Sequence, residues 1–176
     1  GPLFCSHFFQ PTLAPLFPLV KAEFGGGYAA LGLVLTVFCA TSGLAQTPAG
    51  FLVDRIGARP VLLGGLALLA SAVGLYGLAP GYWALLPLAA AAGLGNSVFH
   101  PADYAMLTAR VSEARLGQAY SVHTLGGSLG WVAAPLVVLP IAASWGWRAA
   151  VVVAGLLGLG VVLILAAQTS LRGEPA

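Results

Sequence analysis

Three polar side chains fall on one face of a predicted helix in the middle of the chain. Asn96, His100 and Asp103 are spaced i, i+4 and i+7, which stacks them along the same helix face. An imidazole beside a carboxylate takes up and releases protons near neutral pH, and His123 is a further residue of this type. One His with one carboxylate offers too few ligands for a metal ion. The candidates for proton coupling or charge relay are therefore His100, Asp103 and His123, with no metal.

The residues alone leave more than one role open for Asp103. It can pair with Arg55 or Arg59 at the membrane surface, accept a proton together with His100, or simply be solvated. His123 is open in the same way: it is either a proton carrier that faces a cavity or a His bonded to a backbone carbonyl.

Polar residues inside apolar helices are costly and usually face the interior of a bundle or a wet cavity. His7 lies about twelve residues, or roughly 18 Å, from the outer end of the first predicted helix, which is near the middle of a bilayer. Gln10 is predicted on the same face, and Gln46 belongs to a mildly polar face of the second helix together with Cys39 and Ser42. The candidates for a substrate cavity are therefore His7, Gln10, Gln46 and Asn96.

The elements that position these residues are membrane helices. The chain is 59% hydrophobic and 7% charged, whereas ordinary soluble domains are about 25% charged. A net charge of +2 is too small for a nucleic-acid surface, so the expected partner is membrane lipid. Cys5 and Cys39 lie in apolar runs and are predicted to serve packing rather than a disulfide or a cofactor.

Apolar runs set the number of spans. Each is about long enough to cross roughly 30 Å of hydrocarbon as a helix, and none alternates as a membrane strand would. The prediction is an all-α, polytopic membrane protein with six transmembrane helices. Prolines at 11, 15 and 18 predict kinks in the first run. The runs cover residues 3–20, 28–49, 61–79, 82–107, 118–142 and 149–167.

Charges in the connections set the orientation. Five of the seven Lys and Arg residues fall on one side, namely Arg55, Arg59, Arg110, Arg115 and Arg172. Lys and Arg accumulate on the cytoplasmic side of short loops, so this side is predicted to be cytosolic. The interfacial aromatics Tyr82, Trp83, Trp145 and Trp147 then fall on the external side, with Lys21 and Arg148.

The stretch from Gly50 to Pro60 holds three of the twelve formal charges (seven basic and five acidic residues) and is predicted to be a tight turn at the membrane surface. It resembles the G-x-L-x-D-R-x-G-R-[RK] signature between helices 2 and 3 of the major facilitator superfamily. Ala58 stands at the family's first basic position, so Arg59 alone supplies that charge. By this resemblance the turn governs conformational switching between two halves of a transporter. The residues that carry it are Gly50, Asp54, Arg55, Gly57 and Arg59.

Two weaker likenesses lie further along. Gly93-Leu94-Gly95 with Pro101 is similar to the family's fourth-helix motif, but Ala89 stands where an Arg linked to proton coupling is usual. Gly126-Gly127-x-x-Gly130 with Pro135 is similar to the Gly-Pro segment of many antiporters. With Val98-Phe99-His100-Pro101 and His7-Phe8, these features resemble the fosmidomycin-resistance type of exporter.

The resemblance implies a fold and a function. Residues 1–168 are expected to form the N-terminal six-helix bundle of a twelve-helix transporter, residues 169–176 to begin a cytoplasmic central loop, and the C-terminal half to be missing. The implied activity is proton-coupled secondary transport of a small organic solute, such as drug or metabolite efflux, across a bacterial inner membrane by alternating access. The chain is not expected to be an enzyme. The alternatives are an intramembrane enzyme using His100, Asp103 and His123, and a non-transporting membrane assembly protein.

Overall fold

The structure is a computed structural model that describes the backbone of residues 2–172 and the side chains of residues 3–168. The chain is all-helical over these residues, with no strand among them. Its α-helices are α1 (Pro2–Phe9), α2 (Phe17–Phe24), α3 (Tyr28–Ile56), α4 (Ala58–Tyr76), α5 (Tyr82–Asn96), α6 (Phe99–Arg110) and α7 (Leu116–Arg172). The bundle predicted to end at 168 continues as helix to Arg172, and the rest of the predicted loop, residues 173–176, lies outside the described residues.

The prolines of the first run break it, as predicted. α1 ends at Phe9, a 3₁₀ turn covers Ala14–Leu16, and α2 starts at Phe17. Pro15 and Pro18 stand in the first positions of these later helices, where the missing N–H costs no hydrogen bond. Thr12 donates its hydroxyl to the carbonyl of Phe8 at 2.7 Å, which satisfies one carbonyl that the break exposes.

The fourth predicted run is also two helices. α5 ends at Asn96 and α6 begins at Phe99, so Ser97 and Val98 interrupt the run. The Ser97 hydroxyl donates to the Leu94 carbonyl at 2.7 Å, which caps the end of α5 with a local bond. The interruption separates Asn96 from His100 and Asp103, which the sequence places on one continuous helix.

Close helix contacts surround this interruption. A Cβ on Gly95 would lie 2.6 Å from the backbone nitrogen of Leu69 on α4, and a Cβ on Gly93 would lie 2.5 Å from the carbonyl oxygen of Phe38 on α3. Small residues let membrane helices approach closely. The glycines of the fourth-helix motif therefore bring α5 against both α3 and α4, and Leu69 beside them is fully buried.

The predicted turn between Gly50 and Pro60 is wrong in extent. α3 remains helical through Ile56 and α4 starts at Ala58, so only Gly57 leaves the helical conformation. Its φ is 91° and its ψ is 152°, a region that essentially only glycine occupies. Asp54 and Arg55 consequently lie on the last turn of α3, and Arg59 lies on the first turn of α4.

This conformation makes Gly57 sensitive to substitution. We expect Gly57→Ala to lower the free energy of unfolding by roughly 1–3 kcal/mol, the usual cost of a strained backbone position. A Cβ at this position meets only Pro60 Cδ at 3.9 Å, so the cost comes from the backbone and not from a clash. The measurement is denaturant unfolding of the full-length protein in detergent micelles.

Gly64 on α4 is the matched control, because a Cβ there meets nothing within 4 Å. Gly64→Ala should stabilise by roughly 1 kcal/mol through helix propensity. Equal effects of the two substitutions would contradict the assignment of strain to Gly57.

Five helical segments are long and apolar enough to cross a membrane, whereas the sequence predicts six spans. The fifth, Glu113–Gln168, is 56 residues long, which is about 84 Å of helix against roughly 30 Å of hydrocarbon. Within α7, Gly146 has φ 82° and ψ 163°. These torsions are not helical, and they divide α7 into two helical segments, residues 116–145 and 147–172.

Two of the spans are poorly covered by the rest of the chain. Only 22% of the apolar window in α3 and 28% of that in α7 are buried inside the structure, compared with 50% for the span that contains α5 and α6. The exposed side chains on α3 and α7 are largely apolar and include Leu44, Phe51, Val122, Leu125 and Leu136. These faces suit contact with lipid or with another group of apolar helices.

Candidate functional site

The motif residues at the α3–α4 turn are only partly engaged. Asp54 and Arg55 are exposed, and no hydrogen bond or ion pair reaches either side chain among the described residues. Among the described residues, Asp54 therefore neither pairs with Arg55 or Arg59 nor accepts from backbone N–H groups. Arg59 is half-buried, and its Nη2 donates to the carbonyl of Leu165 on α7 at 3.3 Å.

A cleft of about 530 Å³ lies at this end of the bundle. Asp54, Arg59 and Arg110 line it together with apolar residues of α3, α4, α6 and α7. Gly50 lies beside it, one helical turn before Asp54, and a Cβ on Gly50 would be 4.0 Å from Pro101 Cβ on α6. The turn motif is thus packed against the helix that carries Asp103.

Asp103 meets His123 rather than an arginine. Asp103 Oδ2 lies 3.3 Å from His123 Nε2, and the Asp103 side chain is 2% exposed. The two atoms are within ion-pair distance, but the angles do not make a hydrogen bond, and neither atom has another hydrogen-bond partner. An unpaired charge is expensive inside a membrane, and in the described bundle His123 of α7 is the ionisable side chain within ion-pair distance of the buried Asp103 carboxylate of α6.

His100 stands one helical turn before Asp103 but faces a different neighbour. Its ring centroid is 5.9 Å from that of Tyr104, and Tyr104 in turn meets Tyr120 of α7 edge-on at 5.3 Å. His100 is half-buried. The structure therefore joins Asp103 to His123 directly and places His100 beside the pair, against an aromatic contact between α6 and α7.

His7 packs against α7. Its ring meets Trp131 edge-on with centroids 6.3 Å apart, and its Nδ1 is buried without a hydrogen-bond partner. A Cβ on Gly127 would lie 2.7 Å from that nitrogen, so the absence of a side chain at this position is what admits the imidazole. The shared face of His7 and Gln10 stays a prediction: the Gln10 backbone N–H still bonds to the Ser6 carbonyl at 3.1 Å, and the Gln10 amide contacts Ser6.

Gln10 belongs to a buried polar chain. Gln10 Nε2 donates to Ser6 Oγ at 3.2 Å, Ser6 Oγ donates to Asn96 Oδ1 at 2.7 Å, and Asn96 Nδ2 donates to Ser42 Oγ at 3.0 Å. Ser6, Ser42 and Asn96 are each no more than 5% exposed. This chain joins α1, α5 and α3, so the described bundle uses Asn96 for helix association rather than presenting it to a cavity.

The polar chain predicts a stability defect. Asn96→Ala removes both amide bonds and leaves the Ser6 and Ser42 hydroxyls buried without their partner, which typically costs about 1–3 kcal/mol for each buried group left unsatisfied. We expect a clear drop in the melting temperature of the full-length protein in detergent. Ser128→Ala is the control, because that exposed hydroxyl bonds only to a carbonyl of its own helix; a comparable loss there would contradict the special role of Asn96.

Gln46 completes the predicted set of site residues. It is half-buried on α3, one turn after Ser42, and no hydrogen bond to its amide occurs among the described residues. Cys39 on the same helix is exposed. Within the described residues, no three His, Cys, Asp or Glu side chains form a group that would hold a metal ion.

The opposite end of the bundle holds a contact that the sequence does not predict. Glu23 of α2 accepts from Trp147 Nε1 at 2.6 Å and from Arg148 Nε at 2.9 Å, and Arg148 Nη1 donates to the Gly77 carbonyl at 2.8 Å. Trp147, predicted as an interfacial anchor, is 4% exposed; its indole N–H is instead satisfied inside the protein. Trp83 and Trp145 are exposed, at 77% and 73%, in keeping with the interfacial prediction.

The sequence profile of the Major Facilitator Superfamily matches residues 3–175. The chain belongs to the major facilitator superfamily. Its turn motif, its all-helical bundle and its apolar spans are those of a major facilitator protein, and it is accordingly a multi-pass membrane protein.

Individual relatives agree with this assignment. The chain is 31% identical over 137 residues to the fosmidomycin resistance protein of Escherichia coli, covering 78% of this chain and 34% of the relative. It is also 31% identical over 137 residues to the membrane sensor protein UhpC of Salmonella typhimurium, covering 77% and 30%. A crystal structure of the peptide transporter POT in complex with alafosfalin superposes with a TM-score of 0.73 at 21% identity, covering 96% of this chain and 37% of that one.

Membership of this family bears on whether the chain is an enzyme. The family is one of membrane transport proteins rather than enzymes, so the prediction that the chain is not an enzyme is confirmed and the intramembrane-enzyme alternative is set aside. The chain spans about a third of the length of the curated relatives it matches.

Proposed function

We propose that residues 1–168 are the N-terminal half of a secondary active transporter that moves a small organic solute across a bacterial inner membrane by alternating access, coupled to protons. The observation that carries the proposal is the buried contact between Asp103 and His123 within the spans of a major facilitator bundle. Ionisable residues held inside membrane helices mark proton or substrate pathways.

Six crossings fit this proposal better than five. The torsions of Gly146 interrupt α7, and each segment on either side of it, residues 116–145 and 147–172, is long enough to cross the hydrocarbon. Six crossings return the chain to the side from which it started. In this proposal the central loop starts only after α7, which stays helical to Arg172, and a C-terminal half completes the transporter.

Proton coupling is proposed to use Asp103, His123 and His100, with His7 near the substrate, where its imidazole links the solute to the proton gradient. Asp103 and His123 are close enough to share a proton, and the apolar surroundings make a neutral pair cheaper than a separated charge. His7 offers an unpaired nitrogen beside Trp131, which suits contact with a solute. Gln46, half-buried on α3, is proposed as polar lining of the cavity, whereas Gln10 and Asn96 support the bundle through their buried hydrogen bonds.

The turn motif is proposed to control the switch between conformations. Asp54 is exposed and lacks an ionic partner in the described part of the chain, and α3 exposes an apolar face next to it. A carboxylate in this position is available to helix ends or arginines of the remaining half. The other motif residues shape the α3–α4 turn and give it positive charge, namely Gly50, Arg55, Gly57 and Arg59.

Transport is the test. The full-length protein is reconstituted in liposomes that contain a pH-sensitive dye, a proton gradient is imposed, and fosmidomycin and a panel of short organic acids are added one at a time. Proton flux that depends on one of these solutes supports coupled transport. A protein that binds a solute but moves neither solute nor protons contradicts it.

A second candidate is a sensor that binds a solute without transporting it. The observation in its favour is the similarity to the membrane sensor protein UhpC. The same liposomes separate the two functions, since a sensor shows saturable binding with no flux. The non-transporting assembly protein, by contrast, predicts neither binding nor flux.

A further inference from the structure

A second, more open cleft lies where α6 ends and α7 begins. Its volume is about 700 Å³, within the usual range for small-ligand sites. Its polar lining consists of Arg110, Ser112, Arg115, Gln118 and His123, and no Asp or Glu is among its described lining residues. The lining is therefore made of hydrogen-bond donors and two arginines; Asp54, which shares the first cleft with Arg110, and the exposed Glu113 do not line it.

These donors have no acceptors elsewhere in the described chain. No hydrogen bond or ion pair engages the guanidinium of Arg110 or of Arg115 there. Ser112 precedes the 3₁₀ turn Glu113–Arg115, yet its hydroxyl makes no cap bond. Gln118 is exposed in the first turns of α7. Two arginines and two neutral donors thus face one volume with their hydrogen-bonding capacity unused.

His123 connects the cleft to the buried Asp103. It lines the cleft on one side and approaches Asp103 Oδ2 at 3.3 Å on the other. An anion held in the cleft would sit beside the His that contacts the buried carboxylate. This connection distinguishes the cleft from a patch of surface arginines.

We propose that this cleft binds a small oxyanion, such as a phosphate, phosphonate or carboxylate, in a fork formed by Arg110 and Arg115. Planar guanidinium groups match such anions with paired hydrogen bonds, and the Ser112 hydroxyl and Gln118 amide supply further donors. The ligand is a free organic anion that loads from the side carrying the arginines. Binding of the anion does not depend on the proposed transport function. The further statement that the transported solute is an organic anion rests on that function.

Calorimetric titration of the purified full-length protein in an uncharged detergent tests the site, with inorganic phosphate as the probe. We expect saturable binding that Arg110→Gln and Arg115→Gln each weaken about tenfold, the effect of losing one charge-assisted hydrogen bond. Lys21→Gln is the control, because that residue lies at the other end of the bundle, over the Tyr28 ring, and should leave phosphate affinity unchanged. Melting temperatures of the exposed-arginine variants verify that they fold.

Three outcomes overturn the proposal. One is that the double variant Arg110→Gln/Arg115→Gln binds phosphate as tightly as the unmodified protein, and another is that the control loses as much affinity as the arginine variants. The third concerns a lipid headgroup as the source of the phosphate: phosphatidylglycerol in nanodiscs stabilises the protein through the two arginines, while free phosphate does not bind.

The result also separates this site from the transport function. Phosphate binding without any flux leaves the site standing and removes the transporter. Flux of a neutral solute without phosphate binding leaves the transporter standing and removes the site.

Discussion

Replacing Asp103 by Asn is expected to lower proton-driven solute flux by at least about 100-fold, the effect of removing a positioned proton donor or acceptor. Asn keeps the shape of the side chain but does not exchange a proton, and Asp103 is the carboxylate that is buried against His123. The measurement is initial solute flux into liposomes under an imposed pH gradient, at several values of external pH. His7→Gln should also abolish the dependence on the proton gradient, by removing the imidazole beside Trp131.

Glu113→Gln is the matched control for Asp103→Asn. Glu113 is an exposed carboxylate just beyond the end of α6, so its neutralisation should leave both the rate and its pH dependence in place. Because Asp103→Asn preserves volume, the variant should fold, and its melting temperature checks this directly. If the pH dependence of flux is unchanged in both the Asp103 and the His7 variants, proton coupling through these residues is wrong.

Replacing Asp54 by Asn is expected to slow turnover about tenfold while the apparent affinity for the solute stays within about twofold. The carboxylate is proposed to make one charge-assisted bond across to the other half of the transporter, and such a bond is worth about 1.5 kcal/mol. Losing it from one conformation changes a rate by about a factor of ten. Asp54 lies on the last turn of α3 and does not line the cleft proposed to bind an anion. Its own cleft includes neither His7 nor Trp131, so the proposed solute contacts are left in place.

The separation of turnover from affinity is the decisive feature of this experiment. Solute exchange at equilibrium in liposomes gives turnover, and titration of the solute against the detergent-solubilised protein gives affinity. A large loss of affinity with normal turnover would place Asp54 in the binding site and contradict a switching role. Glu113→Gln again controls for the loss of one negative charge at this end of the bundle.

Much of the fold can be predicted from short stretches of the sequence. Long apolar runs admit only helices in a membrane, so the all-α class and the position of most spans are predictable. The break between α1 and α2 falls at Pro11, Pro15 and Pro18, because a proline inside a helix removes a backbone hydrogen bond. Single prolines at 48, 87, 135 and 140 leave α3, α5 and α7 helical. Gly57 likewise marks the turn, although the helices run closer to it than the charged residues suggest, since helices extend beyond the hydrocarbon.

The candidate site was predictable in its residues but not in its pairings. His7, His100, Asp103 and His123 are conspicuous because ionisable groups are rare in apolar helices. Their partners were not evident: Ser6 gives no signal among apolar neighbours, and Glu23 sits in what reads as a solvated turn. The sequence predicts that Trp147 faces the interface, yet Glu23 and Phe24 enclose it.

The sequence by itself determined that this protein lies in a membrane, that it is helical, where proline and glycine break its helices, and which family motif it carries. Each of these features depends on neighbouring residues along one chain. Only the tertiary structure decided that Asp103 meets His123 rather than Arg59, that Asn96 ties three helices together, and that Arg110 and Arg115 share a cleft. These contacts depend on the rotation of each helix about its axis. That rotation is fixed by packing between glycines and side chains distant in sequence, which periodicity along a uniformly apolar helix does not encode.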